Sequence, residues 1–415
     1  MKHNPFTSKT YQETWLKYFA KQKTNKRFQC LENLSFIKHR FLPYYINAGK
    51  NMTNGITYSV NPSKTDLKNH GVVIYDVPDY CDTSSTSKNE SLKIHKVAQY
   101  KGFLADLSQV DSFEDYLQNT LNAKSRNKFR STLKKFENCF DVTYKYYYGA
   151  IDKEDYHIMM TDFKNLVENR YGDLKIDTSL IREWPFYEEL VYKMLHEKKA
   201  MIISINIAGK PISMSLGFLS ETALVGAVKA FDTNYYKFNV GHIEISKFIE
   251  WCIAHNKRIL DFSKGEYEYK TKWTNTKYLY NCHVVYNNSS VTSKIIGFLL
   301  VKYFELKQYL RDKKINLLVA KARFALKNIG TSKQQKLPFK IQSIQGEITN
   351  NDYQLTSLDE EVRHYPFLKR IVMDGLYQKP ESYSNIKLFK STDSIGGKPS
   401  FVVMGSKSKY LITIF

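Results

Sequence analysis

The sequence has little of what marks disordered chains or membrane spans. Only 18 of its 415 residues are Gly and 10 are Pro, while 42% are hydrophobic, so the chain can bury substantial cores in two or three compact units. The longest apolar run, Ile295–Val301, is far too short to cross a bilayer. The opening residues, Met1–Thr10, are polar and unlike a secretory leader. We therefore expect a cytoplasmic protein.

Cysteine is also scarce, and its spacing excludes two classes of small-domain architecture. The five residues, Cys30, Cys81, Cys139, Cys252 and Cys282, are odd in number and form no CxxC or close Cys/His pattern. We expect them to be reduced and mostly buried, with no disulfide framework and no metal. The sequence also lacks GxSxG and HExxH motifs, so nothing favours nucleophilic catalysis or metal-assisted hydrolysis.

Acidic residues are few relative to basic ones. The chain has 62 Lys and Arg against 41 Asp and Glu, a net charge of +21. Such an excess favours an anionic partner: nucleic acid, a membrane surface or a phosphorylated cofactor. Lys, Asn, Ile, Tyr and Phe are abundant together, however, a composition typical of AT-rich coding sequences. The charge alone therefore does not identify the partner.

Three regions follow one another along the chain, and the first extends to residue 149. Its predicted elements are strands at Gly55–Val60, Gly71–Val77 and Lys93–Asp106, a helical stretch at Ser112–Asn138 and a strand at Phe140–Tyr148. The third region, residues 291–415, begins with an apolar and basic helical stretch. Its predicted elements are that stretch, Val291–Lys327, a break at Pro338, a helix near Asp359–Leu376 and a final hairpin around Phe401–Ile414.

The middle region, residues 150–290, has the clearest order of elements. The predicted elements are helices at Lys153–Tyr171 and Pro185–Lys198, a hairpin of Met201–Ile207 and Ile212–Phe218 around Gly209-Lys210, a strand at Ala223–Phe231, a helix after Gly241 with Ile245, Phe248, Ile249 and Cys252 on one stripe, and a strand at Arg258–Phe262. The order is therefore strand, strand, strand, helix, strand.

Two junctions in this region could carry chemistry. The loop from Phe231 ends in Gly241 at a helix N-terminus, where free N–H groups and the helix dipole can bind a pyrophosphate. Ordinary helix capping explains the same pattern, because the loop is neither GxGxxG nor a Walker sequence. The second junction, Leu260–Trp273, is rich in carboxylates, phenols and ammonium groups. These groups could deprotonate an amine and stabilise an oxyanion. The alternative is that the segment is a solvated polar loop.

A third feature is a basic helical face in the first region. Arg126, Arg130 and Lys134 recur at i, i+4 spacing within Lys124–Lys135. Most such faces only contact water. The alternative is an anionic ligand.

Four stretches resemble the GNAT acetyltransferases of the CelD/BcsL type, named from cellulose biosynthesis and distantly akin to Fem-type peptidyltransferases. Phe6–Trp15 is similar to the family's aromatic opening, and Ser125–Phe136 to its basic helix. Tyr235–His242 is similar to its aromatic loop ending in Pro-Gly, although Val240 stands where the family usually has Pro. Asp261–Lys270 matches its Asp-Phe-x-x-Gly-x-x-x-Tyr-Lys motif, the most specific of the four.

The resemblance covers residues 5–285 and implies an α/β fold with a mixed sheet and tandem GNAT-like domains. Residues 1–149 would form a degenerate half, and residues 150–290 an acyl-CoA-binding catalytic domain. Residues 291–415 lie outside the resemblance, as a basic helical segment and a small α+β appendage.

The resemblance also implies an acyl-CoA-dependent acyltransferase. Its donor would be acetyl-CoA or another acyl-CoA, and its acceptor an amine of a sugar, lipid or peptide-like molecule in polysaccharide or envelope biosynthesis. The implied pantetheine contacts are Val228, Lys229, Ala230 and Phe231, and the implied pyrophosphate contacts are Asn239, Val240, Gly241, His242 and Ile243. The implied catalytic groups are Asp261 or Glu266 as base, Tyr267 or Tyr269 as acid for the leaving thiolate, and Lys270 at the oxyanion or substrate.

Two other functions stay open. A Fem-like enzyme would use aminoacyl-tRNA, which suits the charge and predicts salt-sensitive tRNA retention. A non-catalytic GNAT-like scaffold would bind anionic lipid or a polysaccharide-assembly partner through the basic face and the 291–327 stretch, and would not bind CoA. For the acyltransferase itself, we expect Arg126, Arg130 and Lys134 to bind the substrate side, contacting an anionic acceptor or the inner membrane face and not the cofactor.

Overall fold

A computed structural model describes residues 4–20, 25–50, 52–61, 63–81, 90–174, 178–313, 315, 338–344, 352–395 and 398–415. No helix within these ranges combines the length and apolarity that a bilayer crossing requires. All five cysteines are buried and unpaired.

Five of the α-helices of the described residues begin at side-chain caps. Ser8, Ser112, Asn122 and Ser290, for example, accept hydrogen bonds from first-turn N–H groups. The helices are α1 (Lys9–Phe19), α2 (Phe113–Thr120), α3 (Ala123–Cys139), α4 (Lys153–Leu174), α5 (Ser179–Arg182), α6 (Trp184–His196), α7 (Val240–Ala254), α8 (Glu268–Trp273), α9 (Val291–Asp312), α10 (Leu358–His364) and α11 (Phe367–Gln378). Short 3₁₀ helices lie at Pro5–Thr7, Asp79–Cys81, Thr233–Phe238 and Tyr383–Asn385.

The strands fall into one large sheet and two smaller ones. They are β1 (Asn25–Lys26), β2 (Leu31–Glu32), β3 (Phe36–Lys38), β4 (Tyr44–Asn47), β5 (Ser59–Val60), β6 (Gly71–Pro78), β7 (Leu92–Asp106), β8 (Val142–Tyr147), β9 (Ala200–Ile207), β10 (Lys210–Leu219), β11 (Ala223–Phe231), β12 (Ile259–Lys264), β13 (Thr276–Asn287), β14 (Phe339–Ser343), β15 (Tyr353–Thr356), β16 (Lys387–Ile395), β17 (Lys398–Met404) and β18 (Lys409–Ile414).

The large sheet has eleven strands in the order β1-β3-β4-β6-β13-β7-β12-β11-β10-β9-β8. Among the described residues, only β4 with β6 and β11 with β12 pair in parallel. The mixed α/β class predicted from the sequence is thus confirmed. Strand β13 lies between β6 and β7, so strands from the predicted first and second domains alternate in one sheet. The domain limits at residues 149 and 290 stay a prediction.

Both faces of the large sheet are covered by apolar side chains. On one face α1, α4 and α6 bury a cluster that includes Trp15, Phe163 and Phe218. On the other face α7 packs over β9 and β10. Because both faces are covered, β9 is buried along its whole length, although its sequence alternates.

The C-terminal residues form a small α+β unit, as predicted. Its antiparallel sheet has the order β14-β18-β17-β16-β15 and includes the predicted final hairpin of β17 and β18. Helix α11 packs on the 3₁₀ turn that precedes α7, where Leu368 and Met373 share a core with Tyr235 and Phe238. An ion pair between Lys369 and Asp232, 2.7 Å long, joins the same surfaces. The unit therefore supports the loop that leads into α7.

Four predicted elements differ in extent. The strand predicted at Gly55–Val60 is only β5, Ser59–Val60. The helical stretch Ser112–Asn138 is two helices, because residue 121 is extended and Asn122 caps α3. The helix near Asp359–Leu376 is also two, interrupted beside Pro366, which cannot donate a backbone hydrogen bond. Of the stretch Val291–Lys327, α9 accounts for residues up to 312; residues 314 and 316–327 lie outside the described residues.

Candidate functional site

Strands β11 and β12 pair only over their first three residues and then separate. Their last parallel pair is Val225 with Asp261. Beyond it Ala227 is an extra residue opposite β10, and the pairing of β12 with β7 shifts next to Ser263, whose φ is +62°. Bulges bend a strand and increase its twist, so each strand turns away from the other just after this pair. The edge of β11 from residue 226 to 231 is left without a strand partner on this side.

Side chains from other parts of the fold satisfy two carbonyls of this open edge. The Asn54 side-chain amide donates to the Gly226 carbonyl at 3.0 Å, and the Arg170 guanidinium donates to the Lys229 carbonyl at 3.1 Å. Arg170 also lies over the Phe231 ring, 4.3 Å from its centroid. The opening is therefore bordered by a loop of the first region and by the end of α4.

Helix α7 begins beside this edge. Asn239 precedes it in the left-handed conformation, with φ of +52°, and makes no side-chain cap. The N–H groups of Val240 and Gly241 belong to the first turn, which has no intrahelical acceptors. A Cβ on Gly241 would lie 3.3 Å from Phe231 Cε1 and 3.6 Å from Lys229 Nζ, so the glycine permits close packing of α7 on β11.

Cations surround this helix N-terminus. The pKa of His242 is lowered to about 4, first by burial and then by the positive charges of Lys229, Lys272 and Lys128. Trp273 Nε1 donates to His242 Nδ1 at 2.5 Å. The imidazole is therefore neutral at physiological pH, and Lys229, Lys272 and Lys128 carry the local charge. Together with the helix dipole they form an anion-attracting surface.

A buried carboxylate lies beneath the first turn of α7. Glu244 is fully buried; it accepts a hydrogen bond from Ser213 Oγ at 2.6 Å and lies 3.6 Å from Lys229 Nζ. Lys229 also donates to the Gly241 carbonyl at 2.6 Å. Burial raises the pKa of Glu244 and lowers that of Lys229. Glu244 Oε1 has no hydrogen-bond partner among the described residues.

A second buried cluster surrounds Asp261 on β12. Both carboxylate oxygens are occupied: Tyr278 and Tyr80 donate at 2.7 and 2.9 Å, and the Ser263 N–H donates at 2.7 Å. Burial raises the pKa of Asp261 to about 6. The Tyr278 and Tyr280 hydroxyl oxygens lie 2.7 Å apart, so the cluster continues along β13. Asp261 is thus a fixed, fully bonded charge.

The lysine of the family-like motif is also buried. Lys270 Nζ donates to the carbonyls of Ser263 at 3.1 Å and Lys264 at 2.6 Å, and its side chain is 3% exposed. Burial lowers the pKa of Lys270 to about 8. Lys264, in turn, pairs with Asp76 at 2.5 Å. The ammonium of Lys270 therefore satisfies the last two backbone carbonyls of β12.

The other motif residues lie nearer to solvent. Glu266 is exposed and pairs with Lys101 at 3.0 Å. Tyr267 is exposed and stacks on Tyr269, with centroids 6.0 Å apart. Tyr269 lies 5.8 Å from Lys229 Nζ, and burial raises its pKa to about 12. Tyr269 therefore links α8 to the cluster at the start of α7.

The predicted basic face on α3 lies outside both clusters. Arg126 donates to the Leu121 carbonyl at 2.5 Å, and Arg130 forms an ion pair with Glu114. Lys134 is exposed. Two of the three cations therefore hold intramolecular contacts.

The structure brings together part of the predicted donor site. Lys229, Phe231, Gly241 and His242 lie around the start of α7, and the predicted acid Tyr269 lies beside Lys229. The side chains of four other predicted residues are buried among apolar groups: Val228, Ala230, Val240 and Ile243. Any contact of these four with a donor would be through the backbone.

Several site residues were not predicted. Glu244 could have been found, because it lies on the buried stripe of the predicted helix, one turn before Phe248. No sequence pattern around Asn54, Arg170 or Ser213 indicates that these residues contact the site.

Known proteins resemble the chain in part. A family model described as an acetyltransferase (GNAT) domain matches residues 123–271, from α3 into α8. No curated protein matches the chain. Similar solved structures include FemX (13% identity, 71% of this chain and 95% of that one, TM-score 0.48). L-PGS from Bacillus licheniformis is 11% identical, and the match covers 74% of this chain and 99% of that one with a TM-score of 0.42. A conserved protein of unknown function from Bacteroides thetaiotaomicron is also 11% identical, and the match covers 68% of this chain and 91% of that one with a TM-score of 0.43.

The range matched by the GNAT acetyltransferase model includes β11, α7 and β12. All the site residues predicted from the sequence fall within the matched range. The CelD/BcsL type stays a prediction.

Proposed function

We propose that the chain is an acyltransferase that takes an acyl group from acetyl-CoA or another acyl-CoA and passes it to an amine. The observation that carries this proposal is the opening between β11 and β12 with the uncapped N-terminus of α7 beside it. A linear donor needs such a pair of features: an open strand edge for its amide groups and an anion site for its phosphates.

The residues present fit such a donor. The edge of β11 at residues 226–231 would pair with the pantetheine amides where β12 has turned away, through backbone groups other than the Gly226 and Lys229 carbonyls, which Asn54 and Arg170 already contact. The N–H groups of Val240 and Gly241 would bind the pyrophosphate, and Lys229 and Lys272 would supply positive charge. The acyl thioester would then lie near the bulge at Ala227, where the two strands part.

Transfer needs one proton removed and one returned. The acceptor amine attacks the thioester carbonyl, the C–S bond breaks, and the thiolate leaves with a proton. Of the two predicted bases, Glu266 is exposed and has only one oxygen paired with Lys101, whereas both oxygens of Asp261 are occupied by three donors. We therefore assign the base to Glu266 and the acid to Tyr269, whose raised pKa keeps it protonated.

The acceptor belongs to the same proposal. We propose an amine of a sugar, lipid or peptide-like molecule in polysaccharide or envelope biosynthesis. If this acceptor is anionic, Lys134 is the group of the α3 face most available to it, because Arg126 and Arg130 already hold contacts.

Gly241 provides the test of the donor site. Gly241→Asp and Gly241→Asn add side chains of the same shape next to Phe231 and Lys229, and only Asp adds a negative charge. We expect acetyl-CoA to bind the Asp variant about tenfold more weakly than the Asn variant, a difference of about 1.4 kcal/mol, because its carboxylate repels phosphate and competes for Lys229. Calorimetry at two salt concentrations should show that the difference in acetyl-CoA affinity between the two variants becomes smaller as the salt concentration rises.

The outcomes separate the alternatives. Equal affinities for the two variants would place the donor elsewhere. Absence of CoA binding by the unmodified chain, combined with salt-sensitive retention of aminoacyl-tRNA, would favour the Fem-like alternative. Absence of both would favour a scaffold.

A further inference from the structure

Helix α9 lies flat on the first half of the large sheet. Its inward face packs on β6, β7 and β13, with Leu300, Val301 and Phe304 buried in a shared cluster. Gly297 permits the close approach, since a Cβ there would lie 2.2 Å from the Tyr286 ring. The helix is therefore fixed in orientation, and its opposite face points away from the protein.

That opposite face is also apolar. Six large side chains, each more than half exposed, follow one another at helical spacing along it: Val291, Ile295, Phe298, Leu299, Leu306 and Tyr309. We call these six residues the outer stripe. A helix that is apolar on both faces is normally buried on both, and contiguous exposed apolar surface marks an interaction site. The stripe therefore requires a cover.

The charges around the stripe indicate what covers it. Lys294, Lys302, Lys307 and Lys313 are exposed on or next to α9, and so are two carboxylates: Glu305, which pairs with Lys302 at 2.8 Å, and Asp312. The sequence from 313 to 346 contains eight Lys or Arg and no Asp or Glu, in a chain of net charge +21. Apolar side chains bordered by cations fit a surface that is apolar inside and negative outside.

We propose that the outer stripe docks on an anionic lipid bilayer, with α9 lying in the interfacial plane. The stripe would enter the boundary between head groups and acyl chains while the lysines reach the phosphates. A second copy of this chain fits less well, because two such faces would bring like charges together. The contact is peripheral, because the inward face of α9 remains on the sheet.

A neighbouring loop extends this surface. Phe41 and Leu42 are largely exposed in the turn between β3 and β4. The strand that follows begins at Tyr44, which packs in the same cluster as Ile296 of α9. Arg40 lies over the Phe41 ring, so this loop too combines apolar and basic groups.

Vesicle co-sedimentation of the full chain tests the proposal. The probes are vesicles of phosphatidylcholine alone and of phosphatidylcholine with phosphatidylglycerol at roughly three to one. We expect binding to the anionic vesicles that weakens with salt and little binding to the neutral ones. Phe298→Ser combined with Leu299→Ser should reduce binding to anionic vesicles by at least about tenfold, because two large apolar side chains no longer enter the bilayer.

A matched control is available on α4. Ile158→Ser combined with Leu174→Ser also removes two apolar side chains that are about half exposed on a helix. This control should bind anionic vesicles as the unmodified chain does, and both variants should keep its melting temperature. Equal loss in the two variants, or unchanged binding by the stripe variant, would overturn the proposal. The proposal would also be overturned if the unmodified chain does not bind vesicles but forms a dimer in ultracentrifugation, and if the stripe variant abolishes that dimer. The outcome is independent of CoA binding.

Discussion

Replacement of Lys270 by Met is expected to lower both the stability of the protein and its rate of acyl transfer. The Lys270 ammonium satisfies two backbone carbonyls in a buried setting, and an unsatisfied buried group costs about 1–3 kcal/mol. If this charge also faces the developing oxyanion, its loss should reduce single-turnover transfer by about 10²–10³. Denaturant unfolding measures the first effect, and transfer per folded molecule measures the second.

Lys272→Met is the matched control. Lys272 lies on the same helix, but it is exposed and pairs only with the exposed Glu268 at 2.9 Å. Its replacement should change the free energy of unfolding by no more than about 0.5 kcal/mol. If Lys270→Met unfolds like this control, the two buried carbonyl contacts do not stabilise the protein. If it is destabilised but transfers at the normal rate per folded molecule, Lys270 is structural and takes no part in the chemistry.

The elements of the middle region could be predicted because their signals are local. The alternation of apolar residues and the turn at Gly209-Lys210 suffice for β9 and β10, and β11 occupies the predicted range Ala223–Phe231. The sequence does not predict helix α8, because its six residues are rich in charge and show no apolar period. Strand β13 was not predicted, and its place between β6 and β7 depends on pairing across about 200 residues of sequence.

The environment of the predicted motif was inaccessible for the same reason. Asp261 and Lys270 were singled out as chemical groups, but their burial depends on partners from distant segments. Tyr80 lies 181 residues from Asp261 in sequence, and only the fold brings them together. Spacing within a motif can indicate which residues matter; it does not indicate whether their polar atoms face a substrate or the protein interior.

Lys229→Met is expected to have the second large effect, because it leaves Glu244 buried without its cation. Removing one partner of a buried ion pair typically costs about 3–5 kcal/mol. The protein can limit this cost by protonating Glu244. For a carboxyl of ordinary pKa 4.5, protonation costs about 3.4 kcal/mol at pH 7 and about 0.7 kcal/mol at pH 5. We therefore expect a loss of about 3 kcal/mol at pH 7.

The stability loss caused by Lys229→Met should depend on pH, because Glu244 can take up a proton at low pH. Burial places the pKa of Glu244 in the folded protein above its unfolded value, so the folded state binds more protons. The contribution of such a group to stability is complete below the unfolded pKa and is lost as pH rises through the folded pKa. Without Lys229 the folded pKa rises further. The deficit of Lys229→Met should therefore be small at pH 5 and grow towards pH 7.

Two further variants isolate the ion pair. Glu244→Gln, added to Lys229→Met, removes the charge that Lys229 balances and should restore most of the lost stability at pH 7. Lys247→Met is the matched control, because Lys247 is also largely buried, yet its partner Glu250, 2.9 Å away, is about one-third exposed and can be rehydrated. This control should lose no more than about 1 kcal/mol. Urea unfolding of all four chains at pH 5 and pH 7 measures these differences, and a Lys229→Met deficit that is the same at both pH values would contradict the proposed role of Glu244.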